Sequence, residues 1–155
     1  MQVEQLVREY LTGSRTHMLQ LATAADNQPW LCNVWFAVDE SLNVYWFSAN
    51  NRRHSLEIAK NPKVAGAVCD PQGPDDTPAA VQFQGIAVEL TDNDDILKAR
   101  SVYEGRVFDA ATVDKLIANP EKPHRFYKVT PELFVLFDAV NFPEVSRQEW
   151  RPNQS

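Results

Sequence analysis

Val3, Leu6, Val7, Tyr10 and Leu11 recur at the spacing that stacks them on one face of a helix, and Gly13 follows as its stop. A short amphipathic helix over 2–12 is therefore expected. The period then changes. THMLQLAT (16–23), PWLCNVWFAV (29–38), NVYWFS (43–48) and KVAGAVC (63–69) are β-branched or aromatic runs separated by turn residues. The turns Asp26-Asn27-Gln28 and Asp39-Glu40-Ser41 make the first three runs an antiparallel meander.

NNRRHSLEIAKNP, between Ser48 and Lys63, reads as a helix of about two turns, with Asn50 or Asn51 as cap and Asn61-Pro62 as stop. DPQGPDDTP (70–78) is a loop by composition. AAVQFQGIAVEL (79–90) is a long strand in which Gly85 marks a bulge or a close backbone approach. Helical pieces are expected over 91–105, apolar at Ile96, Ala99 and Tyr103, and over 110–118. Strand chemistry returns in FYKVT (126–130) and ELFVLFD (132–138), ahead of a polar tail over 139–155. About six strands with short helices and no βαβ rhythm predict a mainly β domain, a small antiparallel barrel.

Composition narrows the partners. A chain of 155 residues is a one-domain length, and area scaling has it bury about 69% of its unfolded surface, enough for one sizeable core. The net charge of −6 argues against a general nucleic-acid binder and against anionic lipid. Five scattered glycines leave no P-loop and no dinucleotide fingerprint. Cys32 and Cys69 form no CxxC pair, MQVEQLVREY lacks the marks of a signal peptide, and no run reaches membrane-span length. A cytoplasmic domain is the expectation.

Candidate chemistry is sparse. No GxSxG elbow or HExxH exists, and His17, His54 and His124 are isolated, so no metal site is expected. One segment runs against helix electrostatics. Arg52, Arg53 and His54 fall at the start of the second helix, where the backbone dipole disfavours each cation by about 0.3–1 kcal/mol. Two arrangements remain open: these side chains meet solvent or acids such as Asp70 and Asp75, or an anion sits among them. For an anion, free helix amides and a hydroxyl from Ser48 or Ser55 would complete a phosphate cradle. Trp30, Trp35, Phe36, Tyr45, Trp46 and Phe47 lie on the two strands leading into that helix, about half of them facing inward for packing alone. A planar ligand with a phosphate tail fits both features.

NVYWFSANNRRHSLEIAKNPKVAGAV (43–68), with PWLCNVWFAVDESLN before it and VQFQG after it, resembles the pyridoxamine 5′-phosphate oxidase-like FMN-binding split barrels, especially an uncharacterised bacterial branch. The resemblance is strongest from 16 to 90 and recurs from 124 to 150. It implies a six-stranded split β-barrel and a cofactor, FMN, bordered by Phe47 and Ser48. Arg52, Arg53 and His54 would form the phosphate turn, Asn33-Val34-Trp35-Phe36 would run along the flavin ring through backbone groups, and Gln82 and Gln84 would add polar contacts. It also implies a homodimer with the cofactor at the subunit interface, where Trp150 and Arg151 of the tail would reach the partner's site. The implied activity is hydride transfer to or from a small molecule. The alternatives are a flavin- or haem-binding module without turnover, or a deazaflavin-dependent reductase. Three departures stand out: Cys32 and Ala37 replace basic residues, His54 replaces a lysine, and the tail lacks pyridoxamine phosphate-recognition residues, so vitamin B6 oxidation is not supported.

Overall fold

The computed structural model describes residues 2–152. Its elements, in chain order, are α1 (Gln2–Gly13), β1 (Met18–Ala25), β2 (Gln28–Val38), β3 (Val44–Ala49), α2 (Arg53–Lys60), β4 (Lys63–Val68), β5 (Ala79–Glu89), α3 (Asn93–Tyr103), α4 (Ala110–Ile117), β6 (His124–Asp138) and β7 (Arg147–Trp150). All strand pairs are antiparallel, in the order β3-β2-β1-β4-β5-β6-β7, and β3 also pairs with β6. That last ladder closes six strands into a ring, the architecture expected from the sequence.

Local chemistry sets the corners. Ala25 pairs with Gln28, and Asp26 and Asn27 both take positive φ (53° and 61°), the primed two-residue turn whose twist suits a hairpin. The β2–β3 turn is tied by Asp39, whose carboxylate accepts from the amides of Ser41 and Asn43 and from the Tyr45 hydroxyl. At Gly85 the β5–β6 register shifts, because Gln84 faces Leu133 while Gly85 faces Pro131, leaving Glu132 as the extra residue of a bulge. A β-carbon on Gly85 would lie 2.3 Å from the Thr130 carbonyl oxygen, so close backbone approach is what requires glycine there.

Alternation along the strands makes two cores. Leu19, Leu21, Phe36, Trp46, Phe83 and Phe134 fill the inside of the ring, joined by Val7 and Leu11 from the apolar stripe of α1. Ala37, Tyr45, Phe47 and Phe126 point outward and are covered by Ala99 and Tyr103 of α3 and Val113 of α4. Every residue of β3 is buried, since one face serves each core.

Three expectations are corrected. FYKVT and ELFVLFD are one strand, β6, since Pro131, which has no N–H to donate, sits at the register shift and does not break the ladder. The 139–155 tail is not simply polar and irregular: Arg147–Trp150 forms β7 against Phe134–Phe137 of β6. Neither Asn50 nor Asn51 caps α2; its N-cap is Arg52, with no side-chain cap bond. Asp92 does cap α3, accepting from the amides of Asp94 and Asp95.

Gly85→Ala is expected to lower stability by about 1–3 kcal/mol through overpacking against backbone. Urea unfolding with a reduced midpoint and unchanged slope would show this, whereas an unchanged midpoint would contradict the close approach at the bulge.

Candidate functional site

β3 ends beside the start of α2, the middle of β2 runs alongside, and a cavity of about 530 Å³ opens there. Its walls include Trp30, Cys32, Asn33, Val34 and Trp35 of β2, Phe47 and Ser48 of β3, Arg52, Arg53 and His54 at α2, and also Met18 and His124. Eight of the residues expected from sequence to bind the cofactor thus meet at one opening, together with Trp30 of the aromatic set: Asn33, Val34, Trp35, Phe47, Ser48, Arg52, Arg53 and His54.

The remaining four lie elsewhere. Phe36 is fully buried inside the ring and serves packing. Gln82 and Gln84 line a separate groove of about 390 Å³ on the outer face of β1, β4 and β5. Trp150 stacks on Phe134, with ring centroids 5.5 Å apart and planes at 14°, so in its own chain it covers the inner core and does not touch the cavity.

The basic turn is less cationic than its sequence suggests. Arg53 donates from Nε to Glu57 Oε1 at 2.9 Å, while its guanidinium lies 4.0 Å from the centroid of the Trp30 ring. Glu57 also accepts from Thr23 Oγ1 at 2.5 Å, and these two hydrogen bonds, Thr23's first, hold its carboxyl below the usual range. Asp70 is not a partner of the arginines, being engaged with Ser14 and with the amide of Arg15.

His54 is buried, and its Nε2 is 3.0 Å from Ser48 Oγ, also buried. Burial, assisted by the charge of Arg52, lowers its pKa below the ordinary histidine value, so the ring is neutral at neutral pH. His54 therefore does not supply the cation expected of it in a phosphate turn, and instead fixes Ser48. Ser55 turns its hydroxyl inward to the Ala49 carbonyl at 3.0 Å and is not available to a ligand.

Arg52 makes no ion pair among the described residues, and the amides of Arg53, His54 and Ser55 open a helix where no preceding turn supplies acceptors. Burial, reinforced by the Glu57 charge, pushes the Cys32 thiol up to about 11, so it stays protonated. His124, which sequence reasoning left isolated, faces Ala49 across the β3–β6 ladder, with its ring 5.1 Å from that of Phe47. Its Nδ1 donates to the Lys122 carbonyl at 3.0 Å, which leaves Nε2 with the lone pair in the neutral ring. Among the described residues no group of three or more His, Cys, Asp or Glu could hold a metal ion, and no helix is long and apolar enough to cross a membrane.

The sequence profile of pyridoxamine 5′-phosphate oxidase matches residues 3–136, nearly the whole ring and both helices of the outer core. The chain belongs to the pyridoxamine 5′-phosphate oxidase family. Within this family setting it is 28% identical over 98 residues to the UPF0306 protein plu4501 of Photorhabdus laumondii, a match covering 62% of this chain and 67% of that protein. The fold is shared with a FAD-binding protein from Mesorhizobium loti (22% identity, TM-score 0.63, 84% of this chain and 89% of that one). It is shared too with HutZ, the heme storage protein of Vibrio cholerae (17% identity, TM-score 0.67, 85% and 92%). The candidate site lies at a helix start beside an aromatic strand pair.

Because the folded-state pKa of His54 lies below its unfolded value of 6.5, the unfolded chain binds the extra proton. Its neutral form thus contributes fully above about pH 6.5, and stability falls as pH drops through that value toward the folded pKa. Urea midpoints of the wild type and His54→Gln, compared between about pH 7 and 5, should converge on acidification. Parallel curves would contradict a neutral buried imidazole.

Proposed function

We propose that this protein binds a flavin, specifically FMN, and acts as an oxidoreductase on a small molecule by hydride transfer. The observation that carries this reading is the continuity of the cavity, which joins Arg52 and the first-turn amides of α2 to the aromatic wall formed by Trp30, Trp35 and Phe47. A phosphate needs donors and positive charge, and the helix start has both. A planar ring needs a flat apolar wall and edge donors, which the rings and the backbone of β2 offer. Its volume, about 530 Å³, falls within the usual range for cofactor sites.

Bound there, a flavin supplies the hydride chemistry. The chain's own residues would bind and orient. Arg52 and the amides of Arg53, His54 and Ser55 hold the anionic tail, Ser48, fixed by His54, offers its hydroxyl beside it, and Phe47 and Trp35 exclude water from the ring. Protonated Cys32 gives no competing nucleophile. The FAD-binding relative from Mesorhizobium loti supports a flavin in this fold.

A second copy of the chain is proposed to cover the outer face of β1, β4 and β5. That face carries small side chains, Ala22, Ala65 and Ala67, between Leu31, Gln82 and Gln84, and Leu31 is 60% exposed. β2 borders both this groove and the cavity, so a partner laid on the face would bring its own Gln82, Gln84 and tail near the cofactor. A haem reading is favoured by one observation: His124 lines the cavity with Nε2 unengaged, while His54 Nε2 is held by Ser48. HutZ shows that the fold serves heme storage elsewhere.

Purified protein mixed with FMN should retain it on gel filtration and show a perturbed flavin spectrum. A protein that binds no FMN but gives a Soret band lost in His124→Ala is haem-binding instead. Arg52→Glu should weaken FMN at least about tenfold while Arg125→Glu, outside the cavity, changes it little; equal effects would indicate general electrostatics. Elution at twice 17.6 kDa, and a parallel loss of dimer and FMN affinity in Ala65→Arg, would support the shared site. A monomer with full affinity would contradict it.

A further inference from the structure

Arg53 and Glu57 are one turn apart on α2, and an exposed pair at this spacing contributes little to stability. This pair is built differently. The side chain of Glu57 is 10% exposed, and both of its oxygens are used, Oε1 by Arg53 and Oε2 by Thr23 of β1. Arg53 gives only Nε to Glu57 and rests its plane on Trp30, which leaves its two terminal nitrogens without a partner among the described residues. A guanidinium held by a carboxylate at one edge and by an aromatic ring on one face, at the wall of a cavity, is oriented before any ligand arrives, so less freedom is lost when an anion binds. The anchor has an opposite effect too. A carboxylate next to the guanidinium repels the same anion and offsets part of the charge of Arg52 and Arg53.

We infer that Glu57 is a positioning residue that sets the strength of this anion site: it orients Arg53 for the phosphate and, by its own charge, keeps the phosphate from binding too tightly. The ligand in this statement rests on the flavin reading; the roles of Glu57 and Arg53 rest on the geometry. The two effects separate by substitution. Glu57→Gln keeps an oxygen for Arg53 Nε and an amide for the Thr23 hydroxyl, and removes only the charge. Glu57→Ala removes the charge and the anchor together.

The experiment measures the affinity of wild type, Glu57→Gln and Glu57→Ala for FMN, for riboflavin and for inorganic phosphate by calorimetry, alongside thermal midpoints. Glu57→Gln should bind FMN and phosphate about three- to tenfold more tightly, while riboflavin, which lacks the phosphate, is unchanged. It should do so with a lower thermal midpoint, because the ion pair is lost; a residue that only supported the fold would weaken all three ligands. Glu57→Ala should gain less than Glu57→Gln. The inference is overturned if wild type binds FMN and Glu57→Gln binds FMN and phosphate no better, or if Glu57→Ala gains as much as Glu57→Gln. If phosphate follows the expected order while neither flavin binds, the flavin reading falls and the role of Glu57 stands. Failure of wild type and both variants to bind phosphate or FMN overturns both.

Discussion

The ladder between β3 and β6 is the constraint on which the rest of this molecule depends. It runs from Val44 opposite Val129 to Ala49 opposite His124, and it turns an open sheet into a ring without exposed edges at that seam. Because β3 is then covered on both sides, its alternating residues serve two cores at once. Trp46 stacks on Tyr127 inside the ring, at 5.5 Å and 6°, while Phe47 packs against Phe126 outside it, at 4.5 Å. The same ladder brings His124 to the end of β3, where α2 starts. Closure of the ring thus adds the last wall of the cavity.

The electrostatics of the site are local and finely offset. The chain carries −6 overall, yet the start of α2 gathers two arginines where a helix dipole already concentrates positive charge. Three arrangements moderate that charge. Glu57 takes up Arg53 Nε, Trp30 offers its ring face to the guanidinium, and His54 is kept neutral by burial. What remains for a ligand is Arg52, the outer nitrogens of Arg53 and the first-turn amides. These are the groups to which the proposed reading assigns the phosphate.

Much of this was legible in the sequence because it was written in local patterns. The stripe of α1, the runs of β1 to β5, the turn at Asp26-Asn27 and the close approach at Gly85 follow from periodicity and turn chemistry. The co-location of Trp35, Ser48 and Arg52 followed from a strand pair leading into a basic helix start, and that of Asn33 from the family resemblance. What stayed hidden depends on contacts distant in sequence or on weak patterns. β7 is four residues, RQEW, with only one large apolar side chain, and its pairing is defined by β6. The unity of β6 was masked by Pro131, which is tolerated only because the register shifts there. His124 reached the cavity through the β3–β6 ladder, and Trp30 and Thr23, partners in the β1–β2 hairpin, met the Arg53–Glu57 pair where α2 packs on that hairpin. The pair itself was visible as an i, i+4 spacing. Burial of Glu57 was not.

The central claim is that the start of α2 holds the anionic end of the ligand, and amide chemical shifts test it most directly. In a titration of the ¹⁵N-labelled protein with FMN, the account predicts that the amides of Arg53, His54 and Ser55 show the largest shifts, with those of Phe47 and Ser48 beside them. Shifts confined to the outer groove around Gln82 and Gln84, with the first turn of α2 unmoved, would contradict it.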